Sequence, residues 1–380
     1  MKKIIVVFLL SLTIIVYAKQ TPPKKELRGV FISYIEEQRY FSEDKIKTKK
    51  NIRNMVKKVK DSKMNLIILQ VRSNADAIYP SKYFPYSKLI TGVEEEKYFD
   101  ILAYFIKQCN KYDIKLYAWI NPYRIRTTDE IESISNLNPA YPYLNSDTIY
   151  RNNGVFFNPS KKEVENLIVY GVEEILKNYK VDGILFDDYF YPGEDIDNKD
   201  YEEYINTHEF ITINNYRLNV INKMVKRVHE VCSKYSVPFG ISPDGNIANN
   251  YENHHADIRR WMSEEGFIDF IMPQVYYGFF NESKPFYPTV KEWNNLVTNK
   301  KVKLMIALAL YKSGSIDEYA KSGKDEWIKY NNILKREVII SRNLSNYSGF
   351  AIFRYGNLFQ EEYYNEQLIQ EVKNLTDILN

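Results

Sequence analysis

One pattern constrains this chain more than any other: a short, apolar, β-rich run followed by an amphipathic stretch of helical period, repeated eight times. The apolar runs are Leu27–Ser33, Asn65–Val71, Ile114–Ile120, Gly183–Asp187, Pro238–Ser242, Ile268–Val275, Val302–Leu310 and Gly349–Arg354. The helical patterns are Ile46–Lys60, Phe99–Lys111, Lys162–Tyr179, Asn214–Lys234, Ile258–Glu265, Val290–Asn299, Asp325–Ser341 and Glu361–Leu379. Strands that alternate with helices pair in parallel, because a crossover helix returns the chain to the same edge of the sheet. Eight such units in a chain of this length predict a single α/β domain, a (β/α)₈ TIM barrel over residues 27–380. No internal sequence repeat or low-complexity segment interrupts it.

The amino terminus predicts export. Lys2-Lys3 precede an apolar run from Ile4 to Val16, and Val16-Tyr17-Ala18 ends in a small-residue cleavage pattern. The run is shorter than the roughly 20 residues a spanning helix needs. Residues 1–18 therefore read as a signal peptide and 19–26, with Pro22-Pro23, as a linker. The expected location is the periplasm, cell surface or medium, with no membrane attachment after cleavage. Formal net charge is +3, and removing Lys2 and Lys3 leaves +1. Basic and acidic residues are interspersed, so a nucleic-acid partner is excluded as an expectation. Cys109 and Cys232 fall in helical patterns and read as small buried hydrophobes. The four histidines lack zinc-site spacing, and neither a metal nor a cofactor is expected.

In a barrel the working residues sit on the loops that leave the carboxyl ends of the strands. Two of those connections are long, Asn121 to Ser160 and Asp188 to Ile213, and polar residues gather where the apolar runs stop. Strand two ends in Gln70-Val71-Arg72, strand three in Trp119-Ile120-Asn121-Pro122-Tyr123-Arg124, and strand four in Phe186-Asp187-Asp188-Tyr189-Phe190-Tyr191-Pro192. Strand five ends in Ser242-Pro243-Asp244-Gly245, strand six in Pro273-Gln274-Val275-Tyr276, and strand eight in Phe353-Arg354.

Paired carboxylates are what glycoside hydrolysis needs: one protonates the leaving oxygen, and the other attacks the anomeric carbon or activates water. Asp187 and Asp188, being adjacent, point to opposite sides of an extended backbone, so a partner from another strand is wanted. Asp244 is the best placed, since the ends of neighbouring strands lie roughly 5 Å apart. A Pro-Asp-Gly turn accounts for Asp244 equally well, and a turn cap is the plainer role for the Asp187-Asp188 pair. The catalytic candidates are thus Asp187, Asp188 and Asp244. Arg72, Asn121, Tyr123, Arg124, Tyr189, Gln274, Tyr276 and Arg354 are the candidates for holding substrate. The 33 tyrosines suit sugar stacking, although AT-rich coding, which favours Tyr, Asn, Lys and Ile together, also produces them.

These strand-end motifs, above all the stretch from Val181-Asp182-Gly183 through Asp187-Asp188-Tyr189-Phe190-Tyr191-Pro192, resemble the bacterial glycosyl-hydrolase-like family ten, also called the domain of unknown function 187 family. The likeness runs through nearly the whole mature chain. It implies an exported barrel acting on a cell-wall or other extracellular polysaccharide, with peptidoglycan glycan strands as the favoured substrate. Many members read Ser-Pro-Phe-Gly where this chain has Ser242-Pro243-Asp244-Gly245, so the resemblance does not extend to Asp244. Two other functions fit parts of the pattern. A non-catalytic glycan-binding barrel would keep the aromatics, whereas a metal-dependent polysaccharide deacetylase would need a histidine pair that this chain lacks.

Overall fold

A computed structural model describes residues 22–94, 99–187 and 190–379. Eight parallel strands close into a barrel in simple chain order. They are β1 (Leu27–Ile32), β2 (Leu66–Arg72), β3 (Lys115–Ile120), β4 (Gly183–Phe186), β5 (Phe239–Ile241), β6 (Phe270–Ile271), β7 (Lys303–Ala309) and β8 (Tyr347–Phe353). The ring closes where β1 pairs with both β2 and β8. The principal surrounding helices are α1 (Lys45–Asp61), α2 (Ile101–Tyr112), α3 (Lys162–Asn178), α4 (Ile213–Lys234), α5 (Ile258–Ser263), α6 (Phe286–Leu296), α7 (Ile333–Ser341) and α8 (Glu366–Thr376). No helix among the described residues is long and apolar enough to cross a membrane. The long connection after β3 folds into a small antiparallel sheet of Arg124–Arg126, Val155–Phe157 and Ile149–Arg151.

Side chains alternate across each strand, and that parity sorts the core into two clusters. Outward residues such as Ile67, Leu69, Ile184 and Phe186 pack under the helices. Inward residues, including Phe31, Leu66, Ile68, Tyr117, Trp119, Leu185, Phe270, Met305 and Ala351, fill the barrel lumen. Glycines make room for the large ones: a Cβ on Gly183 would meet the Tyr117 ring, and one on Gly240 the Phe270 ring. Polar side chains secure the strands' amino ends. Asp182 accepts from Leu116 N at 2.9 Å, Asp269 from Phe239 N at 2.9 Å, and Asn65 from Arg28 N at 2.8 Å. Both cysteines are free and buried.

Several expected boundaries move, and in three places the cause is visible. The sixth strand shrinks to two residues because Pro273 has no N–H for a ladder; Gln274 then makes only isolated bridges, to Asp244 and Ala307. The predicted helix Asp325–Ser341 divides at extended Tyr330 into Glu326–Lys329 and α7. The start of α7 is capped from afar, by the Glu371 carboxylate accepting from Ile333 N (3.0 Å) and Leu334 N (2.7 Å). Glu26, expected in the linker, is buried and belongs to the fold.

Candidate active site

At the carboxyl end of the barrel a cavity of about 210 Å³ opens between the tips of β1 to β6 and β8. Its charged centre is Asp187. In β4, Gly183 and Leu185 face the lumen, so Asp187, next in that parity, also points inward, and it is 5% exposed. Two N–H donors orient its Oδ2: Trp119 Nε1 at 3.2 Å and Asn121 Nδ2 at 3.1 Å. Asn121 is itself fixed, since its Oδ1 accepts from Arg124 N at 3.0 Å. Arg124 Nε donates to Ser73 O at 2.9 Å, and its guanidinium lies 5.6 Å from the centre of the Tyr34 ring. Trp119, Asn121 and Arg124 all come from the end of β3, and Ser73 and Tyr34 from the ends of β2 and β1, so three adjacent strand tips hold the carboxylate on β4.

Aromatic rings form the surrounding wall. Phe31 meets Trp119 edge-on at 5.5 Å and lies 5.6 Å from Phe353, which in turn lies 5.8 Å from Tyr276. Gln70, Ser242 and Gln274 supply neutral polar groups between them. Gln70 Oε1 accepts from Tyr34 N at 3.0 Å, and Gln274 Nε2 donates to Ser242 O at 3.0 Å, so both carboxamides are locked. A buried carboxylate among aromatic faces and fixed amides is equipped to stack a sugar ring and to stabilise positive charge at its anomeric carbon.

All the described candidates leave the carboxyl ends of strands, but they do not all reach the cavity. Asp187, Arg124, Gln274 and Tyr276 line it, and Asn121 supports Asp187 from beside it. Arg72 faces away. Gln70 pairs with Trp119 and Arg72 with Ile120, so Val71 is an extra residue that reverses the parity of Arg72. Its guanidinium stacks 4.3 Å from the centre of Phe84, close to Gly171 on α3. Tyr123 is buried in the outer core, where burial pushes its hydroxyl up. Arg354, one residue past inward Phe353, turns outward to pair with Glu36 and to donate to the Tyr363 hydroxyl at 3.2 Å. Asp244 borders a neighbouring cavity, and its carboxylate accepts from Asn246 N at 2.7 Å and from the Asn249 carboxamide. Those bonds make it the turn-former that Pro-Asp-Gly suggested. Asp188 and Tyr189 lie outside the described residues. Phe31, Ser33, Tyr34, Gln70, Trp119, Ser242 and Phe353 line the site without having been singled out. Counting inward parity back from each strand tip would have found Gln70, Trp119 and Ser242.

A family model described as glycosyl hydrolase-like 10 matches residues 26–327. The chain belongs to the glycosyl hydrolase-like 10 family. Among this family member's relatives, Glycosyl hydrolase YngK of Bacillus subtilis is 31% identical, over 93% of this chain and 74% of the relative. Glycosyl hydrolase DigH of Escherichia coli K12 is 30% identical, over 81% of this chain and 74% of the relative. Two solved structures share the barrel. The PgaB (BpsB) glycoside hydrolase domain from Bordetella bronchiseptica superposes with TM-score 0.54 at 12% identity, covering 94% of this chain and 99% of that one. The endo-1,4-beta-mannanase from Rhizomucor miehei gives 0.54 at 12%, covering 94% and 96%.

Behind Arg124 lies a second carboxyl group with a consequence for stability. Asp76 is 1% exposed and accepts from the Ser87 hydroxyl at 2.9 Å. Burial pushes its pKa up to about 6; Ser87, Arg126 and Arg124 oppose the rise, and Glu94 adds to it. Buried Glu37, raised well above its ordinary range by burial and then by Asp76, faces it. A raised acid is more protonated when folded than when unfolded. Its stabilising contribution is therefore complete below about pH 4 and is lost as the pH rises through about 6. The neutral isostere in Asp76→Asn is expected to leave Tm unchanged near pH 4. At pH 8 it is expected to raise Tm by a few degrees, on the order of 2 kcal/mol. Calorimetry of both proteins at the two pH values checks this, and an equal Tm difference at both would refute it.

Proposed function

We propose that this protein is an exported glycoside hydrolase. Its substrate is a cell-wall or extracellular polysaccharide, with the glycan strands of peptidoglycan first among the candidates. The observation that carries the reading is Asp187, a nearly buried carboxylate at a strand tip, oriented by Trp119 and Asn121 at the floor of an aromatic-walled cavity. In this reading Asp187 attacks the anomeric carbon or stabilises the oxocarbenium-like transition state. A second carboxyl group protonates the departing oxygen, with Asp188 the candidate, since Asp244 is engaged in its turn. A donor about 5 Å from Asp187 gives retention, and one beyond about 6.5 Å leaves space for water and gives inversion. Relatives that carry the name glycosyl hydrolase support the class.

The test uses protein produced with its own leader and collected outside the cytoplasm, where sequencing is expected to find Lys19 at the amino terminus. That material is incubated with intact peptidoglycan, peptide-free glycan strands and a panel of neutral polysaccharides, and the products are read by mass spectrometry. New reducing ends on glycan strands are expected. Binding to the strands without any cleavage across the panel would replace the hydrolase with a glycan-binding barrel.

A further inference from the structure

Beyond the cavity that holds Asp187 lies a second one of about 280 Å³, and the two share Gln274 and Tyr276 in their walls. The two are adjacent, so a glycan whose scissile bond lies at Asp187 and whose chain runs past Tyr276 would reach the second space. The groups waiting there are of a different kind. Tyr319, on its rim, is 90% exposed, a ring face that the described residues leave uncovered. Such a ring offers a platform for the apolar face of a pyranose.

Two lysines line the same space, Lys312 and Lys284. Lys312 is fixed: its Nζ donates to Tyr276 O at 2.7 Å and to Asp317 Oδ2 at 2.7 Å. An ammonium carries three N–H donors, so one is left over. Lys284 is half-buried and forms no ion pair among the described residues. The acidic residue of the cavity, Asp244, does not neutralise it. The Asp244 carboxylate is taken up by the Asn246 amide, the Asn249 carboxamide and the Tyr277 hydroxyl. The cavity thus holds an engaged anion beside a lysine that has no ion pair among the described residues. A partly desolvated cation facing a groove gains most from a ligand that brings a carboxylate, since charge-assisted hydrogen bonds are about twice as strong as neutral ones.

We propose that the cavity between Tyr276 and Tyr319 is a subsite for a pyranose bearing a carboxylate, with Tyr319 under the ring and Lys284, aided by Lys312, on the acid group. This rests on the hydrolase reading and adds a preference that reading does not contain. A uronic acid and a lactyl-ether sugar freed of peptide carry the same chemistry, and the assay separates them.

Peptide-free glycan strands are compared with the same strands after their carboxyls have been reduced to alcohols with carbodiimide and borohydride. Polygalacturonate, native and reduced, forms a parallel pair. Wild-type kcat/KM is expected to be about tenfold higher for the carboxylate form of whichever polymer is the true substrate. In Lys284→Gln that ratio falls towards one, through KM, and in Lys284→Arg, which retains the charge, it is largely restored. Equal cleavage of native and reduced polymers by the wild type overturns the proposal, as does an undiminished preference in Lys284→Gln. If the wild type cuts no polymer, the hydrolase reading fails, and saturation-transfer NMR decides the subsite by itself. The probes are N-acetylmuramic acid against N-acetylglucosamine, and glucuronic acid against glucose. A preference for the acidic sugar that disappears in Lys284→Gln upholds the subsite, and no preference removes it.

Discussion

Replacing Asp187 with Asn is expected to lower turnover on the best substrate by roughly 10³-fold or more, with the barrel intact. The substitution preserves the shape of the side chain and an oxygen able to accept from Trp119 Nε1 and Asn121 Nδ2, the two donors that hold Oδ2 now. What it removes is the negative charge, and with it both ways of meeting the positive charge that builds at the anomeric carbon. Because Asp187 forms part of the cavity floor and the isosteric Asn keeps its hydrogen bonds, Tm should move by no more than about 2 °C. Kinetics on the substrate found by product analysis, beside calorimetry of the same preparation, give both numbers. Turnover near the wild-type level would take the central role away from Asp187. A collapse of Tm would show that the residue is structural instead.

That the place of Asp187 in the cavity is legible in the chain, while that of Arg72 outside it is not, reflects how local each signal is. The run Gly183–Phe186 is apolar and ends abruptly in Asp187, and a regular strand carries its inward parity straight to that residue. Arg72 follows an equally clean run, but the extra residue Val71 reverses the parity, and neither glycine nor proline marks the spot. The eight-fold count survived because each unit announces itself through a change of period over about ten residues. The break at Tyr330 was invisible because the carboxylate that caps α7 belongs to Glu371, 38 residues further on. Asp244 had two readings in sequence, and the hydrogen bonds from Asn246 and Asn249 are what distinguish them. Lys284 had no strand tip to mark it, since it sits on a loop whose approach to Tyr276 depends on the closed barrel.

The largest expected effect on stability lies at the opposite end of the molecule. Glu26 stands at the amino end of β1 with its carboxylate fully buried. It accepts from Arg342 Nε (2.8 Å) and Nη2 (2.9 Å), from Arg28 Nε (2.9 Å) and from the Tyr347 hydroxyl (2.9 Å). Arg342, just past α7, also donates to Ile378 O at 3.1 Å, and Arg28 donates to Leu379 O at 2.6 Å. One carboxylate therefore ties the first strand, the last strand and the chain's final turn into a single buried network. Arg342→Met keeps much of the volume but leaves the fully buried Glu26 carboxylate short of its bidentate partner. Losing one member of a buried pair costs about 3–5 kcal/mol, which for a barrel of this size lowers Tm on the order of 10 °C. In Arg342→Met the carboxylate keeps only Arg28 and Tyr347, so adding Glu26→Gln relieves an under-compensated charge and the double variant should be less destabilised than the two single losses combined. The coupling expected is above about 1 kcal/mol. Cleavage per folded molecule should stay within about twofold of wild type, because the network lies at the end of the strands remote from Asp187. A single-variant loss below about 1 kcal/mol, or strictly additive losses, would mean that the closure of the barrel does not depend on this network.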